Sequence, residues 1–318
     1  MSLPATLQHL RLPVICAPMF IVSNPKLVVE QCKSGIVGSF PALNARGEGA
    51  LNEWLTGIKA ELAADKAAGG NPAPFAVNQI VHASNTRLEE DIRVCLEHQV
   101  PVFITSLQAP PKALVDGAHA YGGIVLHDVI NVRHAKKALE AGVDGLIVVA
   151  AGAGGHAGML SPFALVGEIR QFYDGLIVLS GSIATGDAIL GAQAMGADLA
   201  YMGTRFICTT EANADAAYKQ GIIDAAANDV IYTNLFTGVH GNYLRQSIVT
   251  AGLDPDNLPV ADKTKMNFGS GGNSAAKAWK DIWGVGQGVG LIDDAPSTAE
   301  LVNHLEAEYK AARTRLAL

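Results

Sequence analysis

Charge is scarce in this 318-residue sequence: only 17% of its residues are Asp, Glu, Lys or Arg, and the formal net charge is −7. No extended run of Lys or Arg occurs. Phosphate backbones demand a concentrated basic surface, so nucleic acid is excluded as the main partner. Cysteine is also sparse. Cys16, Cys32, Cys95 and Cys208 form no C-x-x-C pair, which excludes a zinc knuckle or a dithiol redox motif. Buried reduced thiols in a cytosolic protein are expected instead. No uninterrupted apolar segment is long enough to span a membrane. The opening MSLPATLQHLRLP lacks the basic region and apolar core of a secretory signal. The expectation is a soluble cytoplasmic protein with no membrane partner. No His, Asp or Glu group has metal-ligand spacing, and no solenoid repeat or low-complexity tract is present.

What the sequence does have is hydrophobic residues, 49% of the chain. Parallel α/β folds read this way because their strands are buried on both faces. Eight strand-length runs recur: PVICAPM (13–19), GIVGSF (35–40), PFAVNQI (74–80), VPVFITSL (100–107), GGIVLHDV (122–129), GLIVVAA (145–151), GLIVLSGS (175–182) and LAYMGTRF (199–206). Helix-like stretches lie between them. NPKLVVEQCKSG opens with Asn24 as a candidate N-cap and Pro25 at the first helical position, and ends near Gly35. NTRLEEDIRVCLEHQ and NVRHAKKALEAG have the same layout, opening on Asn85 and Asn131.

Eight such units match a closed (β/α)₈ TIM barrel. The alternative is an open doubly wound sheet, whose G-x-G-x-x-G fingerprint would follow the first strand. Here CAPMFIVSN follows it, with no glycine, so the barrel is favoured. Residues 1–212 are assigned to it. Residues 213–290 are expected to form a mostly helical addition at the barrel mouth. Residues 291–318 are expected to be a helix packing back on the barrel, with its N-cap at Ser297 or Thr298. Phe20, Tyr201, Phe236 and Tyr243 are candidate pocket liners. Trp279 and Trp283 could mark the interface of a homo-oligomer.

Active sites of such barrels sit at the carboxyl ends of the strands. Ser180-Gly181-Ser182 and Met202-Gly203-Thr204 end the seventh and eighth strands. Glycine turns at helix N-termini bind phosphate through backbone N–H groups, and this is the usual phosphate position of the fold. Asn78 ends the third strand, where its amide meets either neighbouring backbone or a ligand ring. His127 and Asp128 end the fifth strand. Side chains alternate along a strand, so one of the two faces the mouth and the other packs outward. The loop AAGAGGHAG (150–158) follows the sixth strand. Its small residues let a ligand approach closely, and His156 is the best-placed group for acid–base work. His82 and His240, in other loops, stay open as candidates.

Taken in order, several of these motifs resemble the nitronate monooxygenase family, formerly called 2-nitropropane dioxygenases. They are APM after the first strand, AGGH after the sixth, the Ser-Gly-Ser turn, and GAD followed by YMGTRF. The tail GQGVGLI (286–292) is similar to the family's end region. The resemblance covers 13–212 strongly and the addition more loosely. It implies FMN held non-covalently at the mouth. The backbone of Ala17, Pro18 and Met19 would lie along the flavin ring, and Asn78 would contact it. Gly181, Ser182, Gly203 and Thr204 would clamp the phosphate. Ala151, Gly155, Ser180 and Met202 flank these positions and complete the expected cofactor set. His127 would stand in for a flavin-contacting lysine found in some members. His156 matches the active-site histidine, which takes the α-proton of a neutral nitroalkane or holds the nitronate. The flavin oxidises the nitronate, oxygen is reduced, and a carbonyl compound and nitrite form. The chain departs from the family before His156, where Ala150, Ala151, Gly152 and Ala153 replace the glutamate or cysteine and the glutamine of many members. Its GSGGN segment also has no counterpart in common members. Related barrels reduce quinones or enoyl thioesters with NAD(P)H, and this is the alternative reading. A non-redox barrel binding a phosphorylated ligand is a second one.

Overall fold

The computed structural model describes residues 3–261 and 281–317. Eight parallel strands make one sheet: β1 (Val14–Cys16), β2 (Gly38–Pro41), β3 (Phe75–Val81), β4 (Val102–Leu107), β5 (Ile124–Val129), β6 (Gly145–Val149), β8 (Leu176–Ser180) and β9 (Leu199–Met202). Their order is β1-β9-β8-β6-β5-β4-β3-β2. Ile15 then bridges Val37 in parallel, and Cys16 N donates to Val37 O at 2.8 Å. That contact joins the two ends of the sheet into a barrel. All eight expected strands are present.

Burial on both faces explains the unbroken apolar runs. Ala76, Ile104, Leu126, Ile147, Val178 and Tyr201 share the barrel interior. Val77, Phe103, Val125, Leu146, Ile177 and Met202 face the helical layer. That layer contains α1 (Pro25–Lys33), α2 (Ala50–Ala67), α3 (Leu88–Glu97), α4 (Lys112–His119), α5 (Val132–Glu140), α6 (Pro162–Arg170) and α7 (Gly186–Ala194). Asn24 and Asn131 cap α1 and α5 by accepting from Leu27 N and His134 N. Asn85 does not cap α3. The helix begins at Leu88, and Asn85 instead accepts from Arg87 N in the preceding turn.

The helix after β9, α8 (Thr204–Ile207), is a single turn. The chain then makes an excursion over the mouth before α11 (Thr298–Arg315) returns between α1 and α7. Ser297 caps α11 in a reciprocal box with Glu300. Leu301, Val302 and Leu305 are buried in the barrel–helix core, each stabilising it by about 1.5–3 kcal/mol. At the α7–α11 contact a Cβ on Gly186 would overlap the backbone of Tyr309 and Leu305. Gly186 N also donates to Glu308 Oε2 at 2.7 Å.

The excursion was expected to be mostly helical. It does contain α9 (Ala216–Ile223) and α10 (Arg245–Thr250). It also forms an antiparallel pair, β10 (Val230–Thr233) with β11 (Gly241–Leu244). VIYT is rich in β-formers but GNYL opens on two residues that strands disfavour, and each is only four residues long, too short for an alternating pattern to register. Their pairing also depends on a third strand, β7 (Gly155–His156), from the barrel loop. The GSGGN segment and Trp279 lie outside the described residues.

Candidate active site

A cavity of about 870 Å³ opens at the carboxyl ends of the barrel strands. Eleven of the expected site residues line it: Ala17, Pro18, Met19, Asn78, Gly155, His156, Ser180, Gly181, Ser182, Gly203 and Thr204. Three do not. His127 packs outward, its Nδ1 2.8 Å from Thr105 Oγ1, while Asp128 takes the inward position. Burial, with His134 nearby, pushes His127 down to about 4, so it is a neutral residue of the helical layer. Met202 also faces outward, and only its carbonyl serves the site, accepting from Ala17 N at 2.9 Å. Ala151 stands behind the cavity wall, its N–H bonded to Leu160 O at 2.8 Å.

One end of the cavity is built from glycine. Gly181 has φ +136°, and a Cβ there would lie 2.7 Å from Ala151 O, so only glycine fits. Among the described residues the N–H groups of Gly181, Ile183 and Gly203 donate to no carbonyl. Unpaired N–H groups on the wall of one cavity suit a phosphate dianion. The tail segment closes this end. Gly286 N donates to Thr204 Oγ1 at 2.9 Å, and Gln287 N donates to Gly152 O at 2.9 Å.

His156 does not sit on a free loop. Gly155 and His156 pair with Asn242 and Gly241 of β11. Asn242 Nδ2 also donates to Ala153 O at 2.7 Å. His156 Nε2 lies 2.8 Å from Thr237 Oγ1, whose own proton goes to Val239 O at 3.0 Å. The Thr237 hydroxyl thereby ties the imidazole to the excursion. The residue keeps some exposure through the cavity, but its ring is enclosed, and burial pushes it down to about 4. At neutral pH it is uncharged.

The cavity floor is polar. Asn78 Nδ2 donates to Ser106 Oγ at 2.8 Å, and Ser106 Oγ donates to Asp128 Oδ2 at 2.6 Å. These residues sit on β3, β4 and β5, side by side in the sheet. Asp128 Oδ1 is buried with no hydrogen-bond partner among the described residues. Burial pushes the carboxyl up to about 7, against the lowering effect of Ser106.

Of the aromatic candidates, Phe20 and Tyr201 line the cavity, whereas Phe236 and Tyr243 pack edge-on against each other at 5.0 Å outside it. Trp283 stacks on Tyr218 at 5.0 Å, and both wall the cavity. His240 stacks on Tyr232 and His82 bonds Ser84, so neither lines the site. Ser106, Thr237 and Asn242 belong to no motif. Only their register beside Asn78 and His156 reveals them. Among the described residues no cluster of His, Cys, Asp or Glu could hold a metal, and no helix is long and apolar enough to cross a membrane.

The closed barrel with its mouth cavity and single lining histidine defines a (β/α)₈-barrel enzyme. More specifically, the chain belongs to the nitronate monooxygenase family, whose profile matches residues 4–308. That is a family of flavin oxidoreductases. A nitronate monooxygenase of Paraburkholderia phytofirmans is 25% identical over 96% of this chain and 94% of its own length. The solved nitroalkane oxidase of Streptomyces ansochromogenes shares the fold with a TM-score of 0.78 at 23% identity, covering 98% of this chain and 99% of that one. FabK of Thermotoga maritima superposes with a TM-score of 0.77 at 22% identity, covering 98% and 96%.

Proposed function

We propose that this protein binds FMN and oxidises alkyl nitronates with molecular oxygen, releasing a carbonyl compound and nitrite. The observation that carries the reading is the uncharged His156, pinned by β11 and Thr237 on the same cavity as the glycine-built anion cradle. FMN fits these residues by chemistry. The open N–H groups of Gly181 and Gly203 suit its phosphate, with the hydroxyl protons of Ser182 and Thr204 available beside them. The backbone of Ala17, Pro18 and Met19, with the Asn78 amide, suits its ring. Bound FMN supplies the electron transfer between nitronate and oxygen.

The protein's own contribution is positioning and electrostatics. Family membership supports the nitronate as substrate. His156 adds a reason to favour the preformed nitronate over its neutral nitroalkane: an imidazole held near 4 is a weak base at neutral pH. A nitronate arrives already deprotonated and needs only orientation. The test is nitrite release in air from a nitronate and from its nitroalkane. The purified protein should be yellow and should turn over the nitronate faster. No nitrite at saturating nitronate would sink the proposal. His156→Ala should retain FMN, because the loop around it is small-sided.

A second reading has one observation in its favour. The cavity is walled by Trp54, Tyr218 and Trp283 and is roomy for a small nitronate. A reductase taking hydride from NAD(P)H to a quinone or enoyl thioester would use such space. Bleaching of the yellow colour by NADH without oxygen would favour it.

A further inference from the structure

We propose that Asn78, Ser106 and Asp128 form a proton-set polarity switch that presents either an acceptor or a donor to the ring of the cavity's occupant. The inference rests on the FMN reading for the identity of that ring, and on the hydrogen-bond chain for the switch itself.

As the structure stands, the chain runs in one direction. Asn78 Nδ2 donates to Ser106 Oγ, and Ser106 Oγ donates to Asp128 Oδ2. The Asn78 amide N–H groups are thus turned to Ser106 and to Ile104 O, which leaves its Oδ1 as the amide atom for the cavity. This is the arrangement of an ionised Asp128, which can only accept. A proton on Asp128 Oδ2 reverses every link. The carboxyl donates to Ser106, Ser106 donates to Asn78 Oδ1, and the amide N–H groups turn to the cavity. One proton, held on Asp128, therefore changes the hydrogen-bonding sense of the floor.

Asp128 is built to titrate. Around it are Ser106 of β4, Ile147 of β6 and the interior face of β9. The one titratable side chain facing it there is Tyr201, whose hydroxyl is held in the neutral form by burial and by Asp128 itself. His127 lies on the other face of β5. With Oδ1 unpartnered and no cation opposite among the described residues, the ionised form is poorly solvated. The pull toward protonation at neutral pH follows from that burial.

The ligand that fits the acceptor setting is a planar heteroaromatic imide, an N–H between two carbonyls, as on the pyrimidine edge of a flavin. Binding it should favour ionised Asp128, so affinity should rise with pH up to neutrality, by as much as tenfold per pH unit, and then level off. The experiment measures FMN affinity of the apoprotein by fluorescence quenching from pH 5.5 to 8.5, for wild type, Asp128→Asn and Ser106→Ala. The FMN phosphate titrates equally in all three, so ratios to wild type isolate the floor. The expected ratios change at least tenfold across the range for both variants. Parallel profiles would overturn the switch. An Asp128→Asn effect without a Ser106→Ala effect would overturn the relay through Ser106. If no flavin binds at any pH, the FMN reading fails and infrared titration of the apoprotein decides the switch. A protonated-carboxyl band lost near neutrality and missing in Asp128→Asn supports it. No such band overturns it.

Discussion

Acid should weaken this protein through the buried His156. In the unfolded chain the imidazole titrates at its ordinary 6.5, and in the fold burial pushes it down to about 4. Between those values the unfolded chain binds a proton that the folded one refuses. Stability therefore falls as pH drops through that window, and nothing is lost above it. At pH 4.5 the difference amounts to about 2–3 kcal/mol, or roughly 4 °C in melting temperature for a chain of this length. The perturbation is His156→Gln, which keeps a partner for Thr237 and cannot be protonated. His127 is lowered in the same direction and contributes to the acid slope of both proteins, so it cancels between them. Urea unfolding of both at pH 7.5 and pH 4.5 is the assay. The wild type should lose about 2–3 kcal/mol more than the variant between the two. Parallel losses would mean that the ring is solvated, or that it pairs with an anion when charged. The claim that His156 acts as a neutral group would then fail with it.

Asp128→Asn should move stability the opposite way. The folded carboxyl titrates at about 7, above its ordinary 3.8, so ionising it destabilises the fold as pH rises through that interval. Removing it should stabilise the apoprotein at pH 8 by up to about 4 kcal/mol and change it by less than about 1 kcal/mol at pH 4, again read by urea unfolding. Gly186→Ala should separate α7 from α11 and break the bond to Glu308, lowering stability by about 2–4 kcal/mol; an unchanged denaturation midpoint would refute the close approach. Thr204→Val removes the acceptor of Gly286 N, and in the FMN reading also a phosphate partner. Flavin retention should fall by about 1–3 kcal/mol in binding energy, measured by equilibrium dialysis.

Much of this was legible before any coordinates, for identifiable reasons. Strands buried on both faces cannot carry polar residues except where they reach the mouth. The apolar runs therefore located the barrel strands, and their polar ends located the mouth cavity. The Gly181 turn stood out because backbone approach needs glycine there. Harder to read was which residue of His127 and Asp128 faces inward. Both faces of β5 are apolar, so its pattern does not reveal its parity. The β10–β11 pair was also invisible, because four-residue strands gain their stability from β7 rather than from their own sequence. With it went Thr237 and Asn242, whose value lies wholly in what they touch. Asn85 misled as a cap: a turn closed by its own side chain competed for the same role.

The position of α11 has a consequence for how the protein is made. The barrel's strands are complete at Met202, yet the helix that fills the gap between α1 and α7 begins only at Thr298. A ribosome adding about 5–20 residues per second needs roughly 5–20 s to cross that interval. Until it does, α1 and α7 leave uncovered the surface that Leu301, Val302 and Leu305 will bury. The excursion that pins His156 emerges during this delay, so the barrel's last helix arrives only after the wall of the mouth cavity has been made. Closure of the helical ring is thereby the later event, and completion of the cavity wall the earlier one.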